Sequence, residues 1–283
     1  MKIDLDCFPC MMRQLIEASE MAGADKHTTR EIINYYADMI KDIPEDAKAP
    51  EVSAELQRYL KKKTGDNDPY YSLKKKNIKM AEKLLPIVNK EIESADDPLK
   101  AALLMAAMGN SIDAGVGLNI DIEENIERAL EHGFARSDYS LFREKLDKAE
   151  NLLIIADNSG EAVFDKILIK YLKEHVDNII YAVRSVPVLN DITENEAQQI
   201  GIESRAKVVS SGAEGPGLVL ETADSEFVEI FEQADLVLSK GQGNLEGLSE
   251  VERDIFFLLK AKCRMIAEFL NTELNNFVFV LNH

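Results

Sequence analysis

Several things are scarce in this 283-residue chain, and each scarcity narrows what the protein can be. No apolar run approaches the roughly 20 residues that a membrane-spanning helix needs, and the opening MKIDLDCFPC carries neither a basic segment nor an apolar signal core. A cytoplasmic protein without a membrane partner is expected. Positive charge is short as well: 33 Lys and Arg face 51 Asp and Glu, a formal net charge of −18. Nonspecific nucleic-acid binding depends on displacing counterions with cations, so a nucleic-acid partner is not expected. The same field repels a phosphorylated ligand at long range, so any phosphate site here needs a local cation or a metal. Cysteine is limited to Cys7, Cys10 and Cys263, an odd count that fits a reducing compartment. Internal repeats, low-complexity tracts and disordered linkers are missing too.

What is present is 46% apolar content, ample for a large core, arranged in two different periodicities. The first half reads as helix after helix. Thr28 with Glu31 has the capping-box spacing, Pro50 suits a first helical turn, and Asp68-Pro69 opens a long Lys-rich helix. Asp97-Pro98 leads into KAALLMAAMGNSID, whose Ala-rich face would let a neighbouring element come close. It then meets Gly109, Asn110 and Asp113, followed by GVGLNI, a stretch whose glycines argue that the helix has stopped. From residue 151 short apolar runs alternate with helical patterns, the sign of βαβ units and a parallel sheet. Strands are expected at 151–156, 178–183, 206–210, 235–239, 255–262 and 276–281, the fifth competing with a helical reading of VERDIFFLLKAKC. The change of period divides the chain into an all-helical region, 1–147, and an α/β metal- and phosphate-binding domain, 148–283.

The chemistry gathers where the apolar runs stop. LLIIA ends on Asp157, Asn158, Ser159 and Gly160. IIYAV leads to Arg184, Asn190 and Asp191; KVV to Ser210, Ser211 and Gly212; and LVLS to Lys240, Gly241, Gln242, Gly243 and Asn244. Carboxyl ends of parallel strands share one sheet edge, where ligands bind, so these clusters are expected to meet. Asp157, Asn158 and Asp191 offer hard oxygen ligands suited to Mg²⁺ or Mn²⁺, against the plainer reading of single strand-end acids as helix caps. Glu161 and Asp165 begin the next helix, where its dipole favours acids; Glu161, nearer the metal, could order a water or act as general base. Lys240 and the backbone of Gly241, Gly243 and Asn244 read as the phosphate end of the site, with Arg184 a further cation. Asn110 and Asp113 could add polar groups from the helical region, although taken alone a simple helix end with a following turn is the favoured account of them. Cys7 and Cys10, with Cys263, are candidates for a second metal or redox centre, weighed evenly against packing.

Seven short motifs in order resemble the damage-control phosphatases, long catalogued as a domain of unknown function and related to a protein once described as an acidic residue methyltransferase. They are CFPC at the start, DPY at Asp68 to Tyr70, GNSID at Gly109 to Asp113, DNSGE at Asp157 to Glu161, RSVPVLND at Arg184 to Asp191, KGQGN at Lys240 to Asn244, and KC at Lys262 to Cys263. The CxxC resembles the mainly prokaryotic, stand-alone branch. The resemblance implies a helical amino-terminal region on a three-layer α/β/α, Rossmann-like domain with a mostly parallel sheet. It also implies Asp157, Asn158 and Asp191 as ligands of Mg²⁺, Mn²⁺, Co²⁺ or Ni²⁺, Lys240 as the phosphate holder, and small phosphorylated metabolites as substrates. Two competing functions are an S-adenosylmethionine-dependent methyltransferase, disfavoured by the single glycine of DNSGEAV, and a non-enzymatic metal- or thiol-responsive binding protein built on the cysteines.

Overall fold

The computed structural model describes residues 1–112, 126 and 129–282, with the side chains of 110–112 outside that description. Three helices come first: Cys7–Met21, Lys26–Met39 and Ala49–Thr64. The second is capped by Asp25, whose side chain accepts from Thr28 N at 2.8 Å, so the cap lies three residues ahead of the expected Thr28. Pro50 does sit in the first turn of the third, which closes on Gly65 at φ +74°. Apolar residues at helical spacing, among them Met11, Leu15, Ile32, Tyr36, Val52, Leu56 and Leu60, interlock these helices into a core of their own.

Helices Tyr71–Ser94 and Pro98–Ile112 follow. The second runs through Gly109 to Ile112, and the glycine has a steric reason. A Cβ at Gly109 would lie 2.8 Å from Phe164 Cδ2 and 2.9 Å from Glu161 Cα, so the missing side chain lets this helix press against helix Ala162–Leu172. The sequence GVGLNI and Asp113 lie outside the described residues.

Among the described residues seven strands form one sheet: β1 Arg136–Ser137, β2 Asn151–Ile155, β3 Asn178–Val183, β4 Lys207–Ser210, β5 Leu236–Lys240, β6 Phe256–Lys260 and β7 Phe277–Leu281. Their order is β1-β7-β6-β5-β2-β3-β4, and every pairing is parallel except β6 with β7. The disputed fifth run is therefore a strand. A strand buried on both faces reads as a continuous apolar run, which is why FFLL imitated a helix. Alternation splits β2 between two cores: Leu152 and Ile154 face the layer holding Phe142, Leu168 and Leu103, while Leu153 and Ile155 face the layer holding Phe227, Leu245 and Ile266. This is the three-layer α/β/α arrangement.

The division at residues 147 and 148 does not coincide with a break in packing. Helices Tyr71–Ser94 and Pro98–Ile112 share one continuous apolar core with the sheet, whereas only the first three helices keep a separate one. Lys74, 1% exposed, ties the two parts together by pairing with Asp68 and Glu196, each at 2.7 Å.

Candidate active site

The chain order places β3 and β4 on one side of β2, then crosses to put β5 and β6 on the other. The carboxyl end of β2 therefore lies at the topological switch point, where an open α/β sheet leaves a crevice. The registers Ile155 with Ala182, Ile155 with Ser239, and Lys240 with Leu258 align the strand ends along that rim.

Backbone bonds stitch the two acid-bearing loops together. Asn158 and Asp191 form an isolated antiparallel bridge, Ile192 N donates to Asp157 O at 2.9 Å, and Ser159 N donates to Asn190 O at 2.9 Å. Asp157 and Asp191, remote in sequence, are thereby held on one wall, 7% and 3% exposed. Gly241, at φ +82°, is the other half of the arrangement. A Cβ there would lie 2.1 Å from Asp157 Oδ2, so only glycine lets this turn close over the carboxylate.

Both acids, with Asn158, open on a cavity of about 260 Å³. Its other walls include Cys7, Cys10 and Ser53 from the helical cap, and Gln242, Gly243, Glu246, Lys262 and Cys263 from the sheet rim. This volume lies near the small end of ligand pockets, so a small molecule is the occupant it suits. Gln242 Oε1 is buried there with no hydrogen-bond partner among the described residues, as expected of an acceptor that meets a ligand.

Several expected phosphate groups are turned elsewhere. Lys240 is fully buried beneath the rim, its Nζ 2.8 Å from Glu161 Oε1 and paired also with Asp165, which in turn accepts from Tyr181 OH at 2.6 Å. Burial disfavours its charge, but the two acids overcome that and hold the ammonium protonated. Arg184, 2% exposed, spends its guanidinium on Asp191 Oδ2 at 2.8 Å and Asn244 Oδ1 at 2.7 Å. Asn244 is fully buried; it also accepts from Leu218 N and donates to Ala156 O and Lys240 O, bracing three loops instead of facing a ligand. The Gly241 amide donates to Leu258 O, which leaves Gln242 and Gly243 as the part of KGQGN on the cavity wall. Glu161, 1% exposed, lies below Asn158, whose Nδ2 is 3.0 Å from Asp157 Oδ2 and 3.4 Å from Glu161 Oε2. Its place is that of a group orienting the amide, not of a base on the open wall. The side chains of Asn110 and Asp113 are outside the described residues.

The cysteines are closer to the chemistry than sequence suggested, since all three are free thiols on the same cavity. Burial pushes the Cys7 thiol up to about 11, with Glu246 and Cys263 adding to the effect, so it is a neutral thiol at pH 7. Lys262, marked in the sequence only as half of the KC motif and without a role, lines the cavity as well. It follows β6 as Asp157 follows β2, and the same pattern of an apolar run stopping on a polar group would have marked it.

Electrostatics test whether a cation fits. Burial pushes the Asp191 carboxyl up to about 7 and Glu161 up to about 8; it raises Asp157 as well, and Asp157 adds to the rise at Asp191. Two desolvated acids that each disfavour the other's charge, flanked by an amide, form a hard oxygen set that a divalent cation would neutralise. Among the described residues no three or more His, Cys, Asp or Glu stand together as a metal cluster, so the protein's share of such a site is two carboxylates and Asn158.

A stability consequence follows. Folded-state values raised above the unfolded ~4 mean that the native state binds extra protons, so this contribution is full below about pH 4 and is lost as pH rises through 7 to 8. In chelator, the unfolding midpoint should fall from pH 5 to pH 8.5, and Asp191→Asn should flatten that fall. An equal slope in the variant would contradict the assignment.

Comparison with known proteins gives one consistent result. The profile of the damage-control phosphatase ARMT1-like domain matches residues 3–277. A protein named damage-control phosphatase from Pyrococcus horikoshii is 35% identical, over 94% of this chain and 93% of its own. An uncharacterised protein of Methanocaldococcus jannaschii is 34% identical over 99% of this chain and 95% of its own. A crystal structure of a DUF89-family protein from Pyrococcus horikoshii superposes with a TM-score of 0.92 and 33% identity, covering 100% of both chains.

Proposed function

The chain belongs to the ARMT1-like damage-control phosphatase family, and from that premise we propose that it hydrolyses small phosphomonoesters, sugar phosphates or damaged metabolites, with a divalent cation held by Asp157, Asn158 and Asp191. The observation that carries this reading is the pair of buried acids, remote in sequence, whose loops are hydrogen-bonded to each other and which open on one small cavity at the switch point of the sheet. Mg²⁺, Mn²⁺, Co²⁺ and Ni²⁺ are all compatible with oxygen donors. When bound, such a cation supplies Lewis-acid withdrawal of charge from phosphoryl oxygens.

The chain's own residues do the rest. Arg184 locks one oxygen of Asp191 and so fixes its remaining face toward the cavity. Glu161 and Asp157 together hold the Asn158 amide in one orientation. The helical cap, through Cys7, Cys10 and Ser53, walls the cavity against bulk water. Free thiols support placement in a reducing, cytoplasmic compartment, and no helix among the described residues is long and apolar enough to cross a membrane.

A screen of phosphate esters against each of the four metals is the test. Release of inorganic phosphate with at least one metal, abolished by chelator, is expected; silence across the whole panel would overturn the reading. Cys7→Ser with Cys10→Ser should retain activity within about tenfold, because neutral thiols on the wall of a cavity contribute packing and not charge. Complete loss in a folded double variant would favour a thiol-centred function instead.

A further inference from the structure

The three-helix cap keeps a core of its own, and among the described residues all but one of the apolar side chains packed in or against that core lie between Ile3 and Leu73. The exception is Leu189. It comes from the loop between β3 and helix Glu194–Ile200, two residues ahead of Asp191, and it also lines the cavity. Close by, Lys61 of the third cap helix donates from Nζ to Pro187 O. The segment that carries one of the two acids is therefore gripped from the cap as well as from the sheet.

The backbone bears the strain of that grip. Asp191 N donates to Val188 O at 3.0 Å, closing a four-residue turn in which Leu189 holds the first central place at φ +45°. A positive φ at that place normally belongs to glycine, and a bulky side chain is strained there. Such a conformation persists only where the surroundings impose it, and here two sides do. On the sheet side, Ser159 N donates to Asn190 O and Ile192 N to Asp157 O, each at 2.9 Å, while Arg184 binds Asp191 Oδ2 at 2.8 Å. On the cap side, the half-buried leucine packs against the helical core, and the apolar surface it removes from water offsets the strain. Glycine would relieve the backbone but forfeit this attachment.

We propose that Leu189 is a positioning residue for Asp191: anchored in the core of the helical cap, it holds the Val188–Asp191 turn in the left-handed conformation that presents Asp191 beside Asp157. It acts through the backbone, with no polar atom of its own to offer a ligand. The proposal rests on the reading of Asp191 as a cation ligand and extends it to the cap. The first three helices then do more than wall the cavity against water; through one leucine they set the geometry of the acid pair. Because Leu189 also faces the cavity, plain contact with substrate is the competing role, and metal affinity separates the two.

Amide hydrogen exchange at Asp191 and Ile192, followed by NMR in the metal-free protein, reads the turn directly; Mn²⁺ titration calorimetry and steady-state kinetics on any ester the wild type hydrolyses read its consequence. Leu189→Ala keeps the strain and loses the anchor. Both amides should then exchange about tenfold faster or more, and Mn²⁺ affinity should fall about tenfold or more, with KM at saturating Mn²⁺ within about threefold. Leu189→Gly, freed of the strain, should lie nearer the wild type than Leu189→Ala in both readouts, the reverse of the order that lost packing alone would give. Leu189→Met, with similar apolar reach, should restore most of both. Ile32→Val trims the same cap core away from the loop; it should lower the unfolding midpoint while Mn²⁺ affinity stays within about twofold. Unchanged exchange and Mn²⁺ affinity in a folded Leu189→Ala protein overturn the proposal. So does an equal loss of Mn²⁺ affinity in Ile32→Val, or a rise in KM alone, which would make Leu189 a substrate contact. Faster exchange in Leu189→Ala beside a wild type that binds no Mn²⁺ would support the positioning of the turn and defeat the cation reading instead, so the two failures are distinguishable.

Discussion

Asp157→Asn should lower phosphatase turnover by about 10²-fold or more while leaving the fold intact. The change removes one negative oxygen from the pair expected to hold the cation, and the backbone bonds from Ile192 N to Asp157 O and from Ala156 N to Ala182 O, which fix the loop, remain. Because burial already disfavours the carboxylate, the metal-free variant should be at least as stable as the metal-free wild type. The added stabilisation that Mn²⁺ gives the wild type should disappear from the variant. Turnover falling less than about fivefold, with Mn²⁺ still raising the unfolding midpoint, would remove Asp157 from the site.

Lys240→Met carries the second large effect, and it separates two roles for one residue. In the structure the ammonium is enclosed by Glu161 and Asp165, the latter also hydrogen-bonded to Tyr181. Removing it leaves acids buried without their counter-charge, which costs about 3–5 kcal/mol in comparable buried pairs. Asp165→Asn added to Lys240→Met should recover part of that loss. If Lys240 instead served as the phosphate ligand implied by resemblance, the variant would keep its stability and lose substrate affinity. Chemical unfolding of the single and double variants beside a KM measurement decides between them.

The strand ends were legible because a buried parallel strand announces itself as a short apolar run, and the residue that stops it is almost forced onto the rim. Asp157, Asn158 and Asp191 were found in that way, and they do share one wall. β6 obscured the same signal: FFLLKAKC fits a helix as well as a strand, so Lys262 went unassigned. Side-chain direction at a strand end was not legible at all. Nothing local to KGQGN tells that Lys240 turns beneath the rim toward Glu161 and Asp165, since those acids come from a helix far earlier in the chain. The role of Gly109 was hidden for a similar reason. Nothing local to the helical pattern tells that a glycine there admits the close passage of helix Ala162–Leu172. The meeting of Cys7, Cys10 and Cys263 on one cavity depends on how the first helices sit over the sheet, and β1, two residues paired to β7, is too short to leave any pattern.

The proposed site is one cation shared by two loops that the chain brings together from a distance. Anomalous diffraction from crystals soaked in Mn²⁺ tests this most directly. A single peak within coordination distance of Asp157, Asn158 and Asp191, on the cavity side, is the expected result. A peak at the Cys7, Cys10 and Cys263 thiols with none between the two acids would contradict it.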